Sequence, residues 1–248
     1  LASWLLPSRD FSDSERRKLA QRPALSLEGI SDGSFMTVFE KYTLNQFPLR
    51  NQFRTLKAYT IYHVFGQLDN HDIYIKDGYA VKLEYPLHTD SLEHATDQFE
   101  YIYEKYLMDK KMDIYLSIVP EKYGYLSMDY KELCHIMQNS MDYANYIDIT
   151  KTLDITDYYK TDTHWRQEKL PETAAVLAES MGASISGNYT EYALDLPFYG
   201  VYYGQSALPL PPDTLYYLSN DVLDSCIVTN HEDQTIGGIY NMEKKSGK

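Results

Sequence analysis

The chain has 248 residues, 44% of them apolar and 24% charged, a composition that fits a folded protein of one large or two small domains and excludes a disordered or fibrous chain. Its net charge of −13 would repel a phosphate backbone, and no basic run reverses that locally, so nucleic acid is excluded as a partner. Two cysteines, Cys134 and Cys226, fit neither a disulfide-dense scaffold nor a CxxC metal site.

In chain order, LASWLLPS opens on a short apolar patch. It reads either as a first helix or as the stub of an upstream export signal or membrane anchor. No stretch is long and apolar enough to be a transmembrane span. Residues 1 to 70 read as mostly helical. Phe35, Val38, Phe39 and Tyr42, then Phe53, Leu56, Tyr59 and Tyr62, recur at three- and four-residue steps, and Pro48 divides two helices. Arg50 and Arg54 lie one turn apart; they read first as surface charges and otherwise as a carboxylate clamp. HDIYIKDGYAVKLEY predicts a hairpin that turns at Lys76-Asp77-Gly78.

An amphipathic helix follows, with Leu92, Ala95, Phe99, Ile102, Tyr103 and Tyr106 on one face. Then come a buried-strand run, Ile114 to Val119, a helix over DYKELCHIMQNSM and a strand-like YIDIT. Cys134 lies on that helix and reads first as a buried free thiol, with one disulfide to Cys226 as the alternative in an exported protein. This alternation predicts an α/β fold with a mostly parallel sheet and flanking helices. Sites in such sheets form at the carboxyl ends of strands. Pro120-Glu121-Lys122 follows one strand end, and Thr161 to Trp165, TDTHW, follows another. RQEKLPETAAVLAESMG predicts a helix with Pro171 in its first turn and Gly182 as C-cap. Beyond it, YALDLP, YGVYYG, TLYYLS, SCIVTN and GGIYN read as strands. The division is a helical segment at 1–70, an α/β core at 71–182 and a β-rich segment at 183–248. Tyr is used 25 times, which suits half-exposed strands and carbohydrate-facing clefts alike.

TDTHW carries the chemistry. An Asp two residues before a His lets one loop supply both an imidazole base and the carboxylate that fixes its tautomer. The base would take the proton of a nucleophile such as a Ser hydroxyl, and Trp165 would wall the pocket or stack on a sugar ring. The plainer alternative makes Asp162 an N-cap and His164 a residue at a helix start. A metal site built on Asp162 and His164 has no third ligand nearby in sequence, and no metal or cofactor is called for.

TDTHW resembles the motif of the DHHW family of bacterial cell-envelope proteins. That family is similar to the SGNH-hydrolase-like domains of the alginate O-acetyltransferase group. The resemblance extends to SERRKLAQRPALSLEGISDGSFMTVFEKYTLNQFPLRNQF, IYIKDGY, SIVPEKYGYL and FYGVYYGQSALPLPPDTLYY. Thr163 stands where the family motif has its first His. The resemblance implies an SGNH-hydrolase-like (flavodoxin-like) sheet, with Asp162 orienting, His164 as general base and Trp165 supporting the pocket. It implies an esterase or O-acyltransferase acting outside the cytoplasm, secreted or membrane-anchored, on acetylated cell-envelope carbohydrate, with a glycan or an acyl donor as partner. Lys122, Tyr203, Gln205 and Ser206 are expected to line its cleft. In the related families the nucleophile serine follows the Asp-His motif in a segment like Arg-Asp-Ser-Phe-Gly. Ser180, Ser184, Ser186, Ser206, Ser219, Ser225 and Ser246 lie after His164, and none has that setting. The nucleophile is therefore expected beyond residue 248, in a chain read as truncated. The alternative is a non-catalytic envelope protein of the same fold that binds glycan or a protein partner.

Overall fold

The computed structural model describes residues 6–83, 85–124, 128–185 and 187–241. The expectations placed on residues 1–5, 125–127 and 242–248, and on Ser186 and Ser246, lie outside the described residues. The helices are α1 (Leu27–Ser31), α2 (Ser34–Asn45), α3 (Arg50–His63), α4 (Thr89–Ile102, extended by a π turn Tyr103–Leu107), α5 (Met128–Ser140), α6 (Leu170–Ser180), α7 (Val201–Ser206) and α8 (Asp221–Ser225). The strands are β1 (Phe11–Ser12), β2 (Arg17–Lys18), β3 (Asp69–Asn70), β4 (Ile73–Lys76), β5 (Tyr79–Lys82), β6 (Tyr115–Leu116), β7 (Asn145–Tyr146), β8 (Thr190–Phe198), β9 (Asp213–Ser219), β10 (Val228–Thr229) and β11 (Ile236–Gly237). The chain forms two compact units. The first holds Leu1–Leu83, Lys160–Asp162 and Tyr199–Pro212, and the second holds the rest.

In the first unit, α2 and α3 lie on either side of Pro48, as the sequence predicts. Their apolar steps are largely not a core face: Tyr42 is buried, but Phe53, Leu56 and Tyr59 are more than half exposed. The predicted hairpin is β4–β5, closed by a two-residue turn in which Asp77 and Gly78 both have positive φ (51° and 82°). That twist matches the right-handed twist of the strands, which is why Asp-Gly is favoured there. Ile73 and Ala80 on the hairpin pack with Tyr202 of α7 to make the unit's core.

Arg50 and Arg54 correct the first reading of them. They are not loose surface charges but clamp the Glu15 carboxylate. Arg50 donates to both of its oxygens, Nη1 of Arg54 lies 3.5 Å from Oε1, and Arg17 lies 3.3 Å from Oε2. Burial alone would raise the pKa of Glu15. The Arg50 hydrogen bond and the charges of Arg54, Arg50 and Arg17 outweigh burial and hold it below the usual carboxylate value. A depressed folded-state pKa gives stability that is fully present above the unfolded value of about 4.3 and is lost as pH falls through the folded value. Glu15→Gln should therefore flatten the acid limb of the stability profile below about pH 4.3. Thermal unfolding of both proteins from neutral to acid pH checks this, and parallel acid limbs would refute it.

In the second unit, β6 and β7 pair in parallel with α5 as the crossover, the one parallel pair among the described residues. Backbone bonds from Asn145 to Ile114 and from Ile147 to Leu116, both 2.8 Å, complete the ladder. The expected strand Ile114 to Val119 thus pairs over only two residues. The other described pairs are antiparallel, so the fold described is a mixed one of helices and small sheets. Leu92, Met137 and Met141 form one core cluster; Ile147, Ile149 and Leu153 form another with Tyr115, Trp165, Val176 and Leu177 packed on it. The face predicted for α4 buries Leu92, while Phe99, Ile102 and Tyr106 stay more than 40% exposed. Helix α6 has Pro171 in its first turn, and Gly182 follows it at φ 71°, as predicted. Strands β8 and β9 form a long antiparallel ribbon whose register shifts between Ala193 and Pro197. A proline cannot donate to the ladder, and such irregular positions are where it is tolerated. Cys134 is a buried free thiol on α5, and Cys226 is an exposed one.

YGVYYG is not a strand but carries α7. Its tyrosines and valine favour strands only when a pleated surface receives them. Here Thr161 and Asp162 satisfy the first N–H groups of the run, which folds as a helix instead.

Candidate active site

The motif loop is pinned at its base. The Tyr159 N–H donates to the His164 carbonyl (3.2 Å), the Arg166 N–H donates to the Asp157 carbonyl (2.7 Å), and Tyr158 and Trp165 form an antiparallel bridge. The Tyr158 and Trp165 rings meet in a T-shaped pair, 6.3 Å between centroids. Trp165 also packs on the Ile147, Ile149 and Leu153 cluster, so its indole is half-buried in the second unit's core.

In that unit the loop also meets the strand-end turn the sequence singled out. The buried Tyr158 hydroxyl donates to the Pro120 carbonyl (2.9 Å), and the Thr163 hydroxyl donates to the Glu121 carboxylate. Lys122 is only 1% exposed, and its backbone N–H donates to Oε2 of Glu121 (3.1 Å). His164 stands exposed on this loop. Thr163, the departure from the family motif, ties the loop to Glu121 through its hydroxyl. Losing the Tyr158 hydroxyl would leave a buried carbonyl without its partner, so Tyr158→Phe should cost about 1–2 kcal/mol. Chemical denaturation of the variant checks this.

In the first unit, Thr161 and Asp162 act on a different element. Both are buried, at 0% and 2% exposure. The Gly200 N–H donates to Oγ1 of Thr161 (2.9 Å), the Val201 N–H to Oδ2 of Asp162 (3.0 Å) and the Tyr202 N–H to the Thr161 carbonyl (2.9 Å). Those are the first N–H groups of α7, which have no partner inside the helix. A carboxylate placed there also interacts favourably with the helix dipole. So Asp162 does cap a helix, but that helix is α7 and not one that starts at His164. A methyl group on Gly200 would lie 2.3 Å from both the Cβ of Asp162 and the Thr161 carbonyl oxygen, so the approach requires glycine.

The remaining predicted residues divide. Ser206 is fully buried; its hydroxyl donates to the Tyr203 carbonyl and accepts from the Leu208 N–H, so it lies in the core and not on a cleft wall. Gln205 is exposed. Tyr203 faces a small pocket with Arg54 and Asn51. Among the serines, Ser180 and Ser225 donate to helix carbonyls and Ser219 donates to Asp224, while Ser184 is exposed beyond α6. Sequence reasoning singled out the turn at Glu121 and the loop that starts at Thr161, though not the bonds they make, and it missed Tyr158 and Gly200. Only Gly200 left a trace, as the glycine that opens GVYYG.

Among the described residues no three His, Cys, Asp or Glu side chains gather as metal ligands, and no helix is long and apolar enough to cross a membrane. No family model matches this sequence, and no curated protein does. Solved structures do. Bacillus cereus PatB1, solved with a sulfonyl adduct, matches at 15% identity and a TM-score of 0.53, over 69% of this chain and 64% of that one. A DHHW family protein from Eubacterium siraeum matches at 15% identity and a TM-score of 0.44, over 59% of this chain and 53% of that one. The O-acetyltransferase domain of Pseudomonas putida AlgJ matches at 17% identity and a TM-score of 0.45, over 59% and 64%. The likeness to PatB1 shows a shared SGNH-like fold, and structures of the groups that the sequence resembles are among those found. The matches span 53 to 66% of the length of those chains.

Proposed function

We propose that this chain belongs to an SGNH-like esterase or O-acyltransferase acting outside the cytoplasm on acetylated cell-envelope carbohydrate. One observation carries the reading: an exposed His164 stands on a pinned loop that is bonded to the strand-end turn Pro120–Lys122, within a fold shared with PatB1. In this reading His164 takes a proton from a serine hydroxyl and returns it to the leaving alkoxide, and Asp162 holds its tautomer. The described serines after His164 are buried or bound locally, apart from exposed Ser184, so the nucleophile is assigned to a serine outside the described residues. The sheet of which β6 and β7 are the described parallel pair would carry the site at its carboxyl end.

The test is acetate release from acetylated envelope polysaccharide by the protein at its full encoded length. His164→Ala should lower turnover by about 10³-fold or more. Unchanged turnover in that variant would remove the base assignment. A second reading, glycan binding without turnover, draws on the observation that Thr161 and Asp162 already serve as the cap of α7. Saturable glycan binding with no acetate release at full length would favour it.

A further inference from the structure

The clamp around Glu15 is unbalanced. Three guanidinium groups, Arg17, Arg50 and Arg54, share one carboxylate, although the chain as a whole carries −13. Beside them lies a pocket of about 100 Å³ lined by Ser14, Asn51, Arg54, Thr55, Tyr203, Gly204 and Ala207. Asn51, Ser14, Thr55 and Tyr203 can each offer a hydrogen-bond donor there. Arg54 uses Nη2 to hold the Gly204 carbonyl (2.6 Å) and meets Glu15 at 3.5 Å, with three of its five N–H donors left over.

From this geometry we infer that the Arg54 pocket binds a small oxyanion, a carboxylate or a phosphate. A guanidinium presents its donors in a planar fork that matches such oxygens, and the side chains of Ser14, Asn51, Thr55 and Tyr203 can add donors to it. The space suits a group of about three water volumes. Arg54 supports the assignment. Burial is the first cause that lowers its pKa, and the charges of Arg50 and Arg17 add to it against Glu15 alone, so a second anion would relieve a repulsion the fold now bears.

The probes are sodium phosphate and sodium acetate at millimolar concentrations and constant ionic strength, with chloride as the reference. Saturable rises in Tm and matching calorimetric isotherms are expected with at least one of the two. The preferred anion says whether the ligand is a phosphate or a carboxylate. Arg17→Gln, at the more exposed edge of the cluster, should weaken the apparent Kd about three- to tenfold through lost charge. Arg54→Gln should abolish the response but also loses the Gly204 contact. Asn51→Asp therefore serves as the second variant: it keeps every arginine, places a carboxylate in the pocket and should remove the response from a folded protein. Absence of a saturable response in the parent chain, or an undiminished response in Asn51→Asp, would overturn the site.

Discussion

Gly204→Ala should destabilise the first unit by about 3 kcal/mol or more, with a drop in Tm on the order of 10 °C. The added methyl would lie 1.9 Å from the Ser14 carbonyl oxygen and 2.8 Å from the Cα of Glu15, both of them backbone, which no side-chain rotation can clear. Intrinsic helix propensity predicts the opposite sign, since alanine is better than glycine inside a helix by about 1 kcal/mol. The experiment therefore separates the two effects cleanly. A gain in Tm would mean that Ser14 and α7 do not approach this closely. Gly200→Ala should behave similarly, because its methyl would push on Asp162 and Thr161. Gly78→Ala is the control: nothing stands within 4 Å, and only the strain of a positive φ opposes it, about 1 kcal/mol.

On the proposed reading, Asp162→Asn lowers kcat/KM by on the order of 10⁴-fold while the protein stays folded. An asparagine oxygen can still accept the Val201 N–H, so the cap of α7 loses charge but keeps its bond. The expected stability cost is about 0.5–1.5 kcal/mol. Activity on acetyl esters and thermal unfolding are measured on the same preparation. Retained activity would refute the orienting role. A large loss of stability with activity intact would make Asp162 a purely structural cap. Thr161→Val gives the complementary comparison: it removes the acceptor for the Gly200 N–H and leaves the carboxylate in place.

The local elements were legible wherever one short stretch contains its own cause. Asp77-Gly78 closes its hairpin because both residues tolerate positive φ, Pro48 divides two helices because it lacks an N–H, and Pro171 and Gly182 bracket α6 for the reasons helix ends prefer them. The motif TDTHW was legible as a candidate because its residue types suit proton transfer. What the residues do in the fold was not. Thr161 and Asp162 bond to groups 39 residues away, and no local spacing encodes that partnership.

The same holds for the errors. YGVYYG has strand-forming side chains, yet it folds as α7 because a distant loop satisfies its first N–H groups. Arg50 and Arg54 look like surface charges until the N-terminal segment delivers Glu15 to them. The stripe at Phe53, Leu56 and Tyr59 has helical periodicity but is exposed, since periodicity says which residues share a face and not what covers it. The sequence by itself determined the turns, the helix ends and the chemistry available on one loop, because those depend on neighbours within about a helical turn. The tertiary structure alone decided which groups satisfy one another across the chain, because a buried N–H or carboxylate takes whichever partner the packing brings within about 3 Å.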